Sequence, residues 1–171
     1  MQVTDIDPAQ FGALGELTVR AYRALPGRPP SPGYEALLRD VATRAAVDRV
    51  LVAVDELGAV VGGVTYVADD SSPYAEFTGG DTAGFRMLAV DRAVQGGGIG
   101  RALIAACIDL ARADGKRRLT LLTTDAMTAA QRLYERFGFR RTPEFDMMVE
   151  NGRLRLISYA LALEGDDDDR A

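Results

Sequence analysis

The amino-acid sequence predicts an α+β domain with about seven β-strands and four helices. Short valine-rich segments alternate along the chain with longer segments in which apolar residues recur at helical spacing. Glycine, proline, asparagine and aspartate separate most of these segments, as expected for turns. The chain has 171 residues, 47% of them apolar, which suits one domain with a sizeable core. We expect this domain to span residues 1–164.

The N-terminal third is predicted to hold one strand and two helices. Residues 2–6 form the candidate strand, and the Asp-Pro pair at residues 7–8 supplies an N-cap and a first helical proline. The inward stripe of this first helix contains Phe11, Leu14, Thr18 and Tyr22. A proline-rich segment over residues 25–32 ends it. The Ser-Pro pair at residues 31–32 then begins a second helix that continues to Val41.

The middle of the chain is predicted to hold three strands. Residues 49–55 and 59–67 are rich in valine and flank a Glu-Leu-Gly turn, which indicates an antiparallel hairpin. A polar loop follows over residues 69–82, and a loop of this length inside a domain is often functional. Residues 83–90 form the next strand.

The following segment is predicted to hold two helices with a strand between them. The first helix covers residues 99–114 and ends at Gly115, in the position expected of a C-cap. Residues 119–123 form the strand. Asp125 is expected to cap the second helix, which ends at Gly138.

The chain closes with a predicted hairpin. An Asn-Gly pair at residues 151–152, the strongest short turn signal, separates strands over residues 145–150 and 153–163. The last strand alternates in two registers, which predicts either a bulge near Ile157 or burial on both faces. Residues 165–171 are expected to be a disordered acidic tail.

Composition excludes several kinds of function. The chain contains no histidine, which excludes Ser-His-Asp and Cys-His catalysis and histidine-containing metal sites. The single cysteine, Cys107, lies on the apolar stripe of its helix and is expected in the core, so no metal is expected either. The net charge is −5, of which four aspartates and one arginine of the tail account for −3. We therefore expect no nucleic-acid partner.

No signal for secretion or membrane insertion is expected. The first residues lack a basic segment followed by an apolar core, and the longest apolar run covers only residues 102–108. A membrane span needs about 20 apolar residues. The sequence therefore predicts a cytoplasmic protein that does not bind membranes.

Four glycines within five residues, at positions 96–98 and 100, precede the helix at residues 99–114. They leave backbone N–H groups uncovered at a helix N-terminus, which suits a phosphate or pyrophosphate. A P-loop is excluded because Arg101 and Ala102 stand where it needs Lys and Ser or Thr. The dinucleotide motif is excluded because Arg101 or Leu103 occupies its last glycine position. A glycine-rich helix-entry turn without a ligand is the alternative.

Two motifs carry a resemblance to a known family. The first is Gln/Arg-x-x-Gly-x-Gly at residues 95–100, and the second is Ala-x-x-Leu-Tyr-x-x-x-Gly-Phe at residues 130–139. On these motifs the chain resembles the GCN5-related N-acetyltransferase (GNAT) family from about residue 3 to residue 163. The resemblance implies an α/β/α arrangement in which two central strands of a mixed, mostly antiparallel sheet splay apart.

The resemblance also implies a donor, acetyl-CoA, and the residues that hold it. The pantetheine arm would lie between the splayed strands like an additional strand. The residues implied for the cofactor are Leu88, Ala89, Val90, Gln95, Gly96, Gly97, Gly98, Ile99, Gly100, Arg101 and Ala130. Tyr134 is implied as the acid that protonates the departing thiolate. An amide near Leu88 or Ala89 would polarise the thioester carbonyl.

The implied reaction transfers the acetyl group to a primary amine of a small molecule or peptide, by direct attack in a ternary complex. Gly84 stands where many members carry a glutamate base, and Met127 stands where an asparagine is frequent. The base therefore stays open between a carboxylate and a water chain. The candidate carboxylates are Glu76, Asp81 and Asp146. An acyl-CoA-binding module with impaired catalysis and a binder of an unrelated nucleotide are the alternative functions.

The acceptor site is implied by the family at three segments, residues 25–34, 69–82 and 145–155. Acids and aromatics in these segments would suit a cationic amine; they are Tyr34, Tyr74, Glu76, Asp81 and Asp146. The oligomeric state stays open, with a homodimer as one alternative.

Overall fold

A computed structural model of the protein describes residues 1–28 and 31–163. The acidic tail predicted over residues 165–171 lies outside the described residues. Within the described residues the chain forms eight strands and five α-helices. In chain order they are β1 (Gln2–Asp5), α1 (Phe11–Arg23), α2 (Pro32–Arg39), α3 (Val41–Ala45), β2 (Arg49–Val54), β3 (Val60–Val67), β4 (Thr82–Val90), α4 (Ile99–Ala113), β5 (Arg118–Thr124), α5 (Thr128–Arg136), β6 (Arg140–Arg141), β7 (Met147–Val149) and β8 (Leu154–Ala162).

The strands form one mixed sheet in the order β1-β2-β3-β4-β5-β8-β6, and β7 pairs with β8 beside β6. All neighbouring strands are antiparallel except β4 and β5, which are parallel. The predicted α+β class and the mostly antiparallel sheet are therefore confirmed.

The central strands β4 and β5 separate along their length. Only residues 82–84 of β4 pair with residues 118–120 of β5. Beyond this point β4 continues beside β3, while β5 stays paired with β8 as far as Thr124. The two strands thus open into a gap toward their C-terminal ends, as the family resemblance predicts.

Helices cover both faces of the sheet. Leu103 and Ile104 of α4 share one core cluster with Phe85 of β4 and with Tyr134 of α5. The helices α1, α2 and α3 pack on the opposite face, where apolar residues of these helices form two further clusters with β2, β3 and β4. This arrangement confirms the three predicted layers.

The second predicted helix is divided in two at Asp40. The backbone of Asp40 has a ψ of 70°, which is not helical, and its carboxylate accepts hydrogen bonds from the N–H and the hydroxyl of Thr43, at 3.1 and 2.6 Å. An aspartate that caps the following turn competes with continuation of the helix. The described part of the chain therefore has five α-helices where the sequence predicted four.

The sheet has one strand more than predicted. β6 is only two residues long, and Arg140 and Arg141 pair with Ala160 and Tyr159 of β8. A two-residue strand is too short to produce an alternation that can be read from sequence. In β8 itself, Ile157, Ser158 and Tyr159 are all buried, and the pairing with β5 continues without a register shift. Burial on both faces, and not a bulge, explains the two registers.

The predicted end of α4 at Gly115 is confirmed: Asp114 is the C-cap, and Gly115 follows it with a φ of +67°, which favours glycine. In the final hairpin three consecutive residues, Glu150 to Gly152, have positive φ values, so the turn is longer than the Asn-Gly pair alone. Among the described residues, no helix combines the length and the apolar character that crossing a membrane requires.

Candidate functional site

A bulge in β4 lies beside the gap. Thr65 and Gly63 of β3 pair with Arg86 and Ala89, so one residue of β3 faces two residues of β4. Met87, in the bulge, has a φ of +55°. Bulges re-aim the side chains that follow. Met87 packs among α1 and α2, whereas Leu88 packs against the core cluster on the opposite face.

The glycine-rich segment lies at the C-terminal end of β4 and leads into α4. Gly96 and Gly98 have φ values of +87° and +82°, which other residues adopt only under strain. The first hydrogen bond of α4 runs from the N–H of Ala102 to the carbonyl of Gly98. The N–H groups of residues 99–101 therefore have no partner within the helix, and they form the positive end of its dipole.

Contacts hold this segment against its neighbours. The position of a Cβ on Gly100 is 3.5 Å from Leu133 of α5 and 3.8 Å from Val90 of β4, so the start of α4 packs on both elements. The side chain of Gln95 donates a long hydrogen bond of 3.4 Å to the carbonyl of Val90. Ala130 also packs against the core cluster. The structure thus brings together the three groups of residues that the resemblance assigns to the cofactor.

Tyr134 lies on the inward face of α5, and only 4% of its surface is exposed. Its ring lies 6.0 to 6.2 Å from the rings of Phe85, Phe139 and Tyr159. Burial raises the pKa of the Tyr134 phenol, so the group stays protonated at neutral pH. Tyr134 also borders a small cavity of about 180 Å³ within the gap, together with Leu88 and Thr123.

A second, larger cavity of about 460 Å³ lies on the sheet face that carries α1, α2 and α3. Its walls come from the segment before β4, from β4 and β5, and from the region around β7. The two cavities share five wall residues, which are Glu76, Phe85, Arg86, Leu121 and Leu122. The gap therefore connects the side of Tyr134 with the opposite face of the sheet.

Residues 13–139 match the acetyltransferase (GNAT) family model. The chain belongs to this family. Among solved structures, it resembles YncA of Salmonella typhimurium, whose structure contains its cofactor acetyl-CoA. The two are 27% identical with a TM-score of 0.72, over 100% of this chain and 98% of that one. A GCN5-related N-acetyltransferase of Kribbella flavida is 25% identical with a TM-score of 0.71, over 95% and 97% of the two chains.

A curated relative matches only a short segment. The mycothiol acetyltransferase of Streptosporangium roseum is 46% identical over 55 residues. This segment spans 32% of this chain and 16% of that protein. The similarity supports the family and is too short to carry the acceptor of that enzyme over to this chain.

Gly84, at the position where many GNAT members carry a glutamate, is covered by Phe77. A Cβ on Gly84 would lie 2.8 and 2.9 Å from two ring atoms of Phe77, so the ring occupies the place of a side chain there. Phe77 belongs to the segment that the sequence predicted as a polar loop over residues 69–82. Tyr74 in this segment is buried beside Val19 and Leu38, and Ala75 and Phe77 pack against the same cluster, so this part of the loop is anchored to the core.

The neighbour of Phe77 is Glu76, which lines both cavities. Its Oε1 lies 3.3 Å from Nε of Arg86, and both side chains are largely buried. Burial is the main effect on Glu76 and raises its pKa, while the guanidinium of Arg86 opposes the rise. Of the three candidate carboxylates, Glu76 is the one at the gap.

The other two candidate carboxylates lie elsewhere. Asp146 accepts two hydrogen bonds of 2.8 Å from Arg141, one from Arg155 and one from the N–H of Ser158. Arg141 and these other donors hold the pKa of Asp146 far below its usual range, so it is a poor proton acceptor. Asp81 is exposed and lines neither cavity.

Met127 lines the smaller cavity, and the hydroxyl of Thr123 donates to its sulfur at 3.3 Å. Met127 also stands at the N-cap position of α5, without a side-chain hydrogen bond. The expected cap at Asp125 is therefore wrong, because a turn closed by the N–H of Met127 and the carbonyl of Thr124 separates Asp125 from the helix.

Two parts of the site were missed from sequence. Arg86 was not considered, although an arginine inside an apolar strand is an informative exception. The second part is Tyr22, which lines the smaller cavity together with Arg28 and Tyr34 of the segment that the resemblance assigns to the acceptor. The guanidinium carbon of Arg28 lies 4.9 and 4.5 Å from the ring centres of Tyr22 and Tyr34. These contacts join residues from three segments, so spacing alone could not reveal them.

Gly84→Ala should destabilise the protein, because the added methyl group forces the ring of Phe77 outward. Overpacking of this kind typically costs about 1–3 kcal/mol. Urea unfolding of Gly84→Ala, Phe77→Ala and the double variant would measure the energetic coupling between residues 84 and 77. We expect the double variant to lose less unfolding free energy than the two single variants lose together. Gly80→Ala is the control, since open space surrounds that position. Strictly additive losses would contradict the contact.

Proposed function

We propose that the protein is an acetyl-CoA-dependent N-acetyltransferase that acts on a primary amine of a small molecule or peptide. The observation that carries this proposal is the gap between β4 and β5. It is bordered by Tyr134 on one side and by the carboxylate of Glu76, whose side chain is 26% exposed, on the other. The likeness to YncA, whose structure contains acetyl-CoA, supports the choice of donor.

The donor arm would lie along the unpaired edge of β4. Backbone groups of residues 88–90 would pair with the pantetheine as with an additional strand. The pyrophosphate would bind at residues 95–101, where free N–H groups and the dipole of α4 favour an anion. Ala130, near the start of α5, would contact the same arm. Together these positions are all the residues that the family resemblance assigns to the cofactor.

The reaction is an attack of the neutral amine on the thioester carbonyl. The new C–N bond forms as negative charge develops on the carbonyl oxygen, which an amide near Leu88 or Ala89 would stabilise. The C–S bond then breaks. The nitrogen loses its proton to a base, and the departing thiolate takes a proton from the phenol of Tyr134. Acetylated amine and CoA are the products.

Glu76 is the base in this proposal. It reaches both cavities, so it can meet an amine on the face opposite the donor. A base has to be deprotonated and still basic enough to accept a proton, and burial raises the pKa of Glu76 in that direction. The alternative function, an acyl-CoA-binding module with impaired catalysis, rests on Gly84 and Met127. The presence of Glu76 beside Gly84 argues against it.

Gly98→Ala should weaken acetyl-CoA binding by about 10-fold, because the left-handed conformation at the start of α4 costs an alanine roughly 1–2 kcal/mol. The control is Gly58→Ala, in the turn between β2 and β3. Gly58 has a φ of +80° against +82° for Gly98, and open space surrounds both positions. Calorimetric titration with acetyl-CoA should separate the two variants, while thermal unfolding should not. Equal affinities would remove the glycine segment from the donor site.

Tyr134→Phe should lower kcat by at least about 10-fold with little change in KM for acetyl-CoA, since only the proton for the thiolate is lost. The ring packing against Phe85 and Phe139 is retained in this variant. Release of free thiol from acetyl-CoA in the presence of an amine measures the rate. An unchanged kcat would exclude Tyr134 as the acid.

Glu76→Gln should lower kcat/KM by about 100-fold and abolish its decline at acidic pH. In the unmodified protein the decline follows protonation of Glu76. Arg86→Gln should move that decline to higher pH, because Arg86 lowers the pKa of Glu76. Asp146→Asn is the matched carboxylate control and should leave the midpoint of the pH profile in place. A Glu76→Gln profile that keeps the acidic decline would point to a water chain.

A further inference from the structure

We propose that the acceptor is a primary amine carried by an apolar body, and that this body occupies the larger cavity. The inference rests on the proposed N-acetyltransferase activity and names its substrate class. It would place the amine at Glu76, beside the gap, with the rest of the molecule extending over the sheet toward β7.

The position of the cavity supports this assignment. The donor arm would fill the gap beside Tyr134, which leaves the larger cavity, walled by the segment before β4 and by the region around β7, for the body of the acceptor. Its volume of about 460 Å³ lies within the usual range for small-molecule sites. Most wall side chains are apolar or aromatic; they include Val67, Tyr74, Phe77, Phe85, Leu122 and Met147.

The charges around the cavity are few. Glu76 is the only carboxylate among the described wall residues, and Arg86 pairs with it. Arg118 stands at the other end of the wall, on the exposed start of β5. A cavity with one acid and two arginines does not favour an acceptor with several positive charges. Of the cationic amines that the sequence suggested, the walls therefore favour one with a single positive charge.

The opening of the cavity carries two exposed apolar side chains. Phe145 is 57% exposed and Met147 is 42% exposed, and both line the cavity. Met148, the next residue of β7, is 57% exposed and lines neither cavity, as expected from the alternation of side chains along a strand. Large apolar residues around an opening mark a binding surface more often than single exposed ones do.

The alternative partner of the exposed surface at β7 is a second copy of this chain. Pairing along an edge strand would use both faces of β7 and would cover Met148 as well as Met147. The amine is favoured because the apolar surface continues inward from Met147 to the buried carboxylate, where the reaction needs a nitrogen.

The experiment compares three primary amines in the thiol-release assay: hexylamine, 2-(2-aminoethoxy)ethanol and 1,6-hexanediamine. We expect kcat/KM for hexylamine to exceed both others by at least about 10-fold, since each buried methylene strengthens binding by roughly 4-fold. Met147→Ser should reduce the preference for hexylamine over the ether about 5-fold. Met147→Leu should retain it, and Met148→Ser should match the parent protein. Thermal unfolding checks that each variant is folded.

The possible results test the N-acetyltransferase activity and the apolar acceptor separately. If none of these amines, nor an amino-terminal peptide, releases thiol, the proposed N-acetyltransferase activity fails. If the diamine or the ether is acetylated as fast as hexylamine, the activity stands and the apolar acceptor is wrong. Equal losses in Met147→Ser and Met148→Ser, together with dissociation of a dimer in size-exclusion chromatography, would assign this surface to a second copy instead.

Discussion

The parting of β4 from β5 is the constraint on which the rest of the site depends. Parallel pairing ends after three residues of each strand, yet neither strand lacks support, because β3 holds β4 and β8 holds β5. The open edges face each other across the gap. Backbone N–H and C=O groups away from water need partners, so an extended ligand with amide groups is the natural complement of such a gap.

The bulge in β4 determines which groups reach this gap. In a regular strand Phe85 and Met87 would lie on the same face, whereas with the extra residue Phe85 packs with α4 and α5 and Met87 packs with α1 and α2. Phe85 and Tyr134 close the gap on the side of α4 and α5, and Glu76 with Arg86 on the opposite side. The one extra residue of the bulge therefore determines which side chains of β4 would face the donor and which would face the acceptor.

Features that depend on residues close together in sequence could be predicted, and features that depend on tertiary contacts could not. The glycine segment and the Tyr134 motif are local in sequence, and so are most caps and turns. This explains why the succession of strands and helices along the chain could be predicted, and why the two motifs could suggest the family and its three layers. The division of the second helix at Asp40 depends on a side-chain choice between two competing hydrogen-bond patterns. The contact of Phe77 with Gly84 depends on tertiary packing of a segment that reads as polar. The sequence alone therefore gave no reason to prefer Glu76 over Asp81 or Asp146 as the base.

A carboxylate on a loop is held less firmly than one on a strand, unless the loop is itself anchored. Residues 69–81 meet this condition through several contacts. Tyr74 is buried among α1 and α2, and the hydroxyl of Ser72 donates to Asp48 at 2.6 Å. Arg86 donates to the carbonyl of Tyr74 at 3.1 Å while it pairs with Glu76. The same arginine therefore holds the backbone just before Glu76 and also lowers the pKa of the Glu76 carboxyl group. Phe77 fills the space above Gly84, and the residue next to it, Glu76, brings a carboxylate to the cavity that both line. In the proposed reaction this carboxylate takes the role for which β4 has no side chain at Gly84.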